Sequence, residues 1–180
     1  REVWREILDR YPGRFAGRSI EEALDGAAIH QGLESMIATV QGREAELAAW
    51  ARKSEAAWEA IRDAYAAHGA SWGLSVRAAA APKDAQALFA GLRELWLEGM
   101  PCDVRFEILE DGPDRVRWAV PRLVLPRYWE GRGCRDEDMI ELHGAWMAAF
   151  TNAAAEDFTA MLRLSAVEDG LRCEFDITRR

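Results

Sequence analysis

The segment Val167-Glu168-Asp169-Gly170-Leu171-Arg172-Cys173-Glu174-Phe175-Asp176-Ile177 decides the fold of this chain. Apolar and polar residues alternate on both sides of Asp169-Gly170, and an Asp-Gly pair suits the two positive-φ positions of a type I′ turn. The alternation places these apolar residues on one face: Leu162, Leu164, Ala166, Leu171, Cys173, Phe175 and Ile177. We therefore predict that the chain ends in a tight antiparallel hairpin.

A second hairpin is predicted upstream of the first. Apolar residues alternate with polar ones on both sides of Asp111-Gly112-Pro113-Asp114, a composition typical of a turn. The alternating apolar residues are Val104, Phe106, Ile108, Val116, Trp118 and Val120. Between the two hairpins, we expect a helix after the loop Glu130 to Arg135, with Asp136 or Asp138 as its N-cap.

The first half of the chain has helical periodicity. Val3 to Tyr11 is short and amphipathic, and Ser19 with Glu22 makes a capping box before a proline-free stretch from Ile20 to His68. We expect two helices in this stretch, or one bent helix, with the break near Gly42. A further helix is predicted to begin at Pro82-Lys83-Asp84 and to end at Gly99-Met100-Pro101.

An aromatic stripe lies at the end of the proline-free stretch. Its members recur at spacings of three and four residues: Trp58, Ile61, Tyr65, His68 and Trp72. This spacing predicts one buried helical face. A second interpretation of the same stripe is the interface of a homodimer, in which this helix pairs with its own copy.

Together these elements predict an α+β fold, with N-terminal helices packed on a small antiparallel sheet formed by the two hairpins. The length suits a single domain, residues 1–180, with a mainly helical half (1–98) and a hairpin-helix-hairpin half (99–180). We expect a mostly apolar cavity at the boundary between helices and sheet.

Composition excludes several classes of partner. The net charge of −8 opposes binding to nucleic acid or to an anionic membrane surface, because phosphate binding needs clustered cations. No apolar run reaches the roughly 18 residues of a membrane span. The three cysteines, Cys102, Cys134 and Cys173, lie far apart, unlike a zinc knuckle or a disulfide framework, which favours the reducing cytoplasm.

Cys134 is the candidate nucleophile. It lies where a glycine-rich loop enters a helix, and backbone N–H groups at a helix start lower the pKa of a thiol. Asp136 would then act as acid or base and His143 as proton shuttle. The alternatives are a loop cysteine with no task and a half-buried histidine bonded to a backbone carbonyl. Gly144 and Ala145 beside His143 would let a ligand or a helix approach closely.

The chain carries eight tryptophans, and surplus aromatic rings can line a pocket for a planar or cationic ligand. Core packing is the alternative role for most of them. The aromatic pair Tyr128-Trp129, together with Arg132 and the downstream Trp146, is our candidate ligand-binding mouth.

No metal or cofactor is expected. His30 and Glu34 lie one helical turn apart, but a second such pair is missing from the sequence. The glycine-rich dinucleotide fingerprint, the phosphate loop, the zinc-peptidase motif and the nucleophile elbow are also absent.

The C-terminal part of the chain resembles the L-2-amino-thiazoline-4-carboxylic acid hydrolase-like family, which is similar to the 4-vinyl reductase-type small-molecule-binding domains. The resemblance covers roughly the last 80 residues. It rests on a hairpin leading into an extended segment (Val116 to Leu125), on Cys134 with Asp136, and on the terminal pattern Gly170-x-x-Cys173-x-Phe175. It implies helices on a small antiparallel sheet with a ligand cavity and, in the hydrolase members, opening of a small cyclic C=N substrate by water.

Two functions follow from the resemblance. The first is a cofactor-independent small-molecule hydrolase acting in an apolar cavity. The second is a non-catalytic ligand-binding or sensor domain, which stays open because Pro121-Arg122-Leu123 stands where the hydrolases are expected to carry a cysteine. Either way, the expected partner is a small-molecule ligand.

Overall fold

The computed structural model describes residues 2–11, 17–24, 28–96, 105–168 and 170–180, and it confirms the predicted α+β class. The helices are α1 (Glu2–Arg10), α2 (Ile20–Leu24), α3 (Ile29–Ala51), α4 (Glu55–Ala79), α5 (Ala85–Arg93), α6 (Pro126–Trp129) and α7 (Asp136–Ala154). The strands are β1 (Glu107–Asp111), β2 (Arg115–Val120), β3 (Phe158–Val167) and β4 (Gly170–Arg179).

The four strands form one antiparallel sheet of order β1-β2-β4-β3, so the two predicted hairpins join through β2 and β4. Apolar residues face each other across that joint. Trp118 pairs with Phe175 in the ladder, and their rings stack with centroids 4.8 Å apart. Such cross-strand aromatic pairs stabilise a sheet and fix its register.

The turn of the last hairpin differs from the prediction. Val167 pairs with Gly170, so Gly170 is the first residue of β4, with φ +136°, and does not occupy a central turn position. Asp169 lies outside the described residues. The predicted apolar face is also incomplete, because Ala166 near the turn is exposed while Cys173, farther along, is fully buried.

Strand β1 lies at the edge of the sheet, and all five of its residues are exposed. The predicted alternation therefore corresponds to burial on β2, where Val116, Trp118 and Val120 are buried, and not on β1. Ile108 remains 45% exposed, and Val104 lies outside the described residues.

Two predicted helix starts are confirmed and one is wrong. Ser19 and Glu22 make the reciprocal bonds of a capping box, and the Asp84 carboxylate accepts from the Ala87 amide at 2.8 Å. The N-cap of α7 is Arg135, which makes no side-chain cap. Asp136 and Asp138 both lie inside the first turn of that helix.

Asp138 is buried because it is paired. Its carboxylate binds Arg135 at 2.6 Å and Arg52 at 2.9 Å, which ties the end of α3 to the start of α7. Burial opposes ionisation, but these two guanidinium groups outweigh it and lower the pKa of Asp138.

The predicted break near Gly42 is wrong, because helix α3 continues through Gly42 and ends at Ala51. Gly42 serves a close contact instead. A Cβ at this position would lie 3.1 Å from the Tyr11 hydroxyl, so the glycine lets the residue after α1 approach α3.

Helices α5 and α7 touch the sheet directly, and α4 packs on the far side of α7. Two glycines of α4 allow that contact to be close. A Cβ at Gly69 would lie 2.2 Å from the Trp146 carbonyl oxygen, and one at Gly73 would lie 2.3 Å from that of Phe150. The extensive α4–α7 contact joins the two halves of the chain, whose predicted boundary at residues 98 and 99 lies outside the described residues.

Candidate functional site

A cavity of about 1020 Å³ lies between α3, α4, α7 and the residues that follow α5. Its walls are Val40, Gln41, Arg43, Glu44, Leu47 and Trp50 of α3, Ala57, Ala60, Ile61, Ala64, Tyr65, His68 and Trp72 of α4, Leu95 and Trp96, and His143 and Trp146 of α7. The cavity is therefore bounded by helical segments. We expected the cavity at the boundary between helices and sheet. It lies between helices instead, because no described strand residue lines it.

The aromatic stripe of α4 forms one wall of this cavity. The prediction of a wholly buried face is wrong, since Tyr65 is half-buried and Trp72 is 42% exposed. Only Trp58 is buried, where its indole N–H donates to Glu141 at 2.9 Å. Because Trp58 is buried within its own chain, it is not available to contact a second copy of the protein. The homodimer stays a prediction.

Four tryptophans and a tyrosine surround the cavity. Trp96 and Trp146 lie with ring centroids 5.7 Å apart, and Trp146 stacks on Phe150 of the same helix. The close α4–α7 contact at Gly69 places the Trp146 backbone against α4, which fixes this wall. Trp50 is 41% exposed, so the ring of aromatic residues reaches the protein surface.

His143 lies among three aromatic rings. Those of Trp96, Trp129 and Tyr65 have centroids 5.4, 5.7 and 6.3 Å from the imidazole. Burial without a charged partner lowers the pKa of His143 to about 4, so the ring is neutral at physiological pH. Its Nδ1 is buried and makes no hydrogen bond to any described residue.

Gly144 does not provide the close approach that its size suggested. A Cβ at this position would have no described atom within 4 Å. The close approach to α7 occurs two residues later, where Gly69 meets the Trp146 carbonyl. The relevant small residues are therefore on the opposite helix.

Glu44 and Tyr65 form the polar part of the wall. Glu44 is half-buried, and its desolvation raises the pKa of the carboxylate even though Tyr65 and Arg43 act to lower it. Burial and the charge of Glu44 together raise the pKa of Tyr65. The Tyr65 hydroxyl makes no hydrogen bond of acceptable geometry with the described residues, but it lies near enough to Glu44 that each group shifts the pKa of the other.

Gln41 connects this polar part to the core. Its Oε1 accepts from the Trp129 indole at 2.8 Å, and its Nε2 donates weakly to Glu44 at 3.5 Å. Gln41 is 4% exposed, so both ends of its amide are used in a buried position.

His68 receives two donors. The Trp146 indole N–H points at Nδ1 from 3.0 Å, and the Trp72 indole N–H points at Nε2 from 3.1 Å. A neutral imidazole has one lone pair to offer and one N–H of its own. Only one of the two indoles can donate to it at a time, so the other is available to an acceptor in the cavity.

Cys134 and Asp136 do not line the cavity. Burial and the nearby carboxylates of Asp136 and Asp138 raise the pKa of the Cys134 thiol, which is the opposite of the lowering expected at a helix start. Burial likewise raises the pKa of Asp136. Their roles as nucleophile and acid or base stay predictions, without support from the electrostatics.

The residues of the predicted ligand-binding mouth do not come together in one site. Trp129 is 1% exposed and belongs to the core, which contradicts an exposed aromatic pair. Tyr128 is buried too, and its hydroxyl bonds to Glu34 of α3 at 2.9 Å. Arg132 contacts Tyr11 and Glu46, and it does not border the cavity.

Of the predicted site residues, the structure therefore brings His143 and Trp146 to the cavity. The prediction omitted several wall residues: Glu44, Trp50, Tyr65, His68, Trp72 and Trp96. One available signal was the spacing Gly69-x-x-x-Gly73, which indicates close helix packing and would have placed the α4 stripe beside another helix.

No protein-family model, curated protein or solved structure matches this chain. The resemblance to the hydrolase-like family accordingly stays a prediction. None of the described helices is both long and apolar enough to cross a membrane. Within the described ranges, no group of three or more His, Cys, Asp or Glu side chains is placed to hold a metal ion.

Proposed function

We propose that this protein binds a small, largely apolar molecule in the cavity between α3, α4 and α7. One observation carries the proposal: a space of about 1020 Å³ with an aromatic wall that stays open to solvent. Ligand sites of this kind combine apolar walls with a few polar groups that orient the ligand. Here those groups are Glu44, Tyr65 and His143.

The neutral state of His143 supports binding in an apolar environment. A charged imidazole would need a counter-ion or water, and a ligand that displaced that water would lose affinity. The structure holds the ring uncharged among Trp96, Trp129 and Tyr65, so an apolar ligand can cover it without removing a charge from water.

A cavity-filling substitution tests this proposal. Indole, which is neutral, planar and soluble, serves as the probe, and its binding is followed by isothermal titration calorimetry. Ala64 lines the cavity from α4, so Ala64→Trp should occupy part of it and weaken indole binding. Ala56→Trp is the matched control, because Ala56 is exposed on the same helix outside the cavity. Equal indole binding by both variants would refute the proposal.

As the alternative function, we propose that the protein is a hydrolase that opens a small cyclic C=N substrate. Its support in the structure is that His143, a neutral imidazole whose Nδ1 has no hydrogen-bond partner among the described residues, borders the cavity. A screen of cyclic imines for ring opening tests it. Turnover that disappears in Cys134→Ser would assign the nucleophile, and turnover that persists would exclude Cys134 from the chemistry.

We propose the cytoplasm as the location. The three cysteines, Cys102, Cys134 and Cys173, are an odd number and lie far apart in the sequence, unlike a disulfide framework, and this suits a reducing compartment. Blocking free thiols in intact cells before lysis and then measuring the mass of the chain tests this, because an oxidising compartment would leave paired or otherwise oxidised cysteines.

A further inference from the structure

Glu44 places a carboxylate in the wall of the cavity. It lines the cavity from α3, and the hydrogen bond that it accepts is a weak one of 3.5 Å from Gln41. No ion pair joins it to the residues that the structure describes, whereas Glu46, two residues on, pairs with both Arg10 and Arg132. Glu44 is half-buried, and a partly desolvated carboxylate without a cation costs free energy, so this position favours a positive charge supplied from outside.

The surrounding walls favour the same sign of charge. Trp50, Trp72, Trp96 and Trp146 line the cavity together with Tyr65. The faces of indole and phenol rings carry partial negative charge and attract cations, most of all where water is excluded. Aromatic rings beside an unpaired carboxylate are the usual protein environment for an organic ammonium group.

Arg43 is the competing charge in the cavity. It precedes Glu44 on α3, is half-buried and lines the same wall. Glu44 is half-buried as well. The longer arginine side chain can extend its guanidinium to water, whereas the shorter glutamate holds its charge nearer to α3. The aromatic walls also offer nothing to an anion at their faces. Glu44 therefore determines the sign of the ligand.

We propose that the ligand of this cavity is an organic cation of the ammonium class, whose charge pairs with Glu44 while its apolar part lies between the tryptophans. This inference rests on the proposed binding function and specifies its ligand class. Glu44 acts on the charged end of such a ligand and the aromatic walls contact the rest of it, so a quaternary ammonium joined to an aromatic ring has the matching shape and charge.

The experiment compares three probes of similar size by calorimetry: N,N,N-trimethylanilinium, its neutral isostere tert-butylbenzene, and the anion benzoate. The quaternary cation has no titratable proton, so its charge is fixed. On the unmodified protein, we expect the cation to bind at least tenfold more tightly than the neutral isostere, about 1.4 kcal/mol. Benzoate should bind most weakly.

Two variants at adjacent positions separate the possible causes. Glu44→Gln keeps the shape and removes the charge, and it should reduce the preference for the cation over the isostere by about tenfold. Arg43→Gln is the matched control, which should leave that preference intact or increase it. Equal or tighter binding of the neutral isostere, or a preference that survives Glu44→Gln, would overturn the inference. So would tight benzoate binding that is lost in Arg43→Gln.

Failure of the inference differs from failure of the proposed function. If the neutral isostere and indole bind while the cation shows no advantage, the cavity binds ligands and the assignment of charge is wrong. If none of the probes binds with saturation, the proposed binding function itself is wrong, and the inference falls with it.

Discussion

The contact between α4 and α7 depends on glycine, and replacing Gly69 by alanine should weaken it. A Cβ at Gly69 would lie 2.2 Å from the Trp146 carbonyl oxygen and 2.9 Å from its carbon. Side-chain carbons essentially never approach closer than 3.0 Å, so the helices must separate by at least 0.8 Å, the difference between 3.0 and 2.2 Å. The obstacle is backbone, which cannot rotate away as a side chain can.

The expected cost follows from two opposing effects. Overpacking of this kind destabilises by about 1–3 kcal/mol. Alanine recovers up to about 1 kcal/mol relative to glycine in a helix. The net loss in the free energy of unfolding should therefore be up to about 2 kcal/mol, equivalent to a decrease of up to roughly 8 °C in melting temperature for a domain of this size.

Urea denaturation followed by circular dichroism measures this loss. The matched control is Gly144→Ala on α7, where an added Cβ meets no described atom within 4 Å. That variant should be neutral or more stable by up to about 1 kcal/mol, since it gains only helix propensity. If Gly69→Ala is as stable as Gly144→Ala, the close approach of the two helices is not as the structure shows it.

Two further predictions concern buried polar groups. His143 has its pKa lowered from 6.5 to about 4, so the unfolded chain takes up a proton first, and stability is lost as pH falls from 6.5 to 4. At about 1.4 kcal/mol per pKa unit, this loss of stability amounts to roughly 3 kcal/mol. Urea titrations at pH 7 and pH 4 should therefore show that His143→Phe loses roughly 3 kcal/mol less stability between these pH values than the unmodified chain does. An equal loss in the two proteins would contradict a buried, neutral His143 ring. Trp129→Phe removes the donor to the buried Gln41 Oε1 and should lower the free energy of unfolding in urea by about 1–3 kcal/mol. The control Trp50→Phe, at the exposed rim of the cavity, should lower it by less than about 1 kcal/mol. Equal losses in the two variants would contradict the Trp129–Gln41 hydrogen bond.

Some parts of the sequence-based description needed no knowledge of the tertiary structure. The capping box of Ser19 and Glu22 and the Asp84 cap are local, because each joins groups three residues apart. The alternation in β2 and β4 likewise predicts strands from neighbouring residues alone. Such features gave the α+β class and the two hairpins, which the structure confirms.

The cavity was beyond these local rules. The spacing of Ile61, Tyr65 and Trp72 defines one face of a helix, but a buried core and a cavity wall produce the same spacing. For Trp129, the sequence predicted an exposed residue where the structure has a buried one. Its position beside a loop suggested exposure, yet its indole reaches Gln41, which is 88 residues away in sequence.

The sequence by itself determined the two hairpins and the helix caps at Ser19 and Asp84, because the hydrogen bonds that form them join residues close along the chain. The tertiary structure decided which faces meet. Gly69 admits the Trp146 backbone, α3 stands apart from α7 over part of its length, and the gap between them becomes an aromatic cavity containing Glu44 and His143. Such a space depends on the distances between elements, and residue periodicity carries no information about those distances.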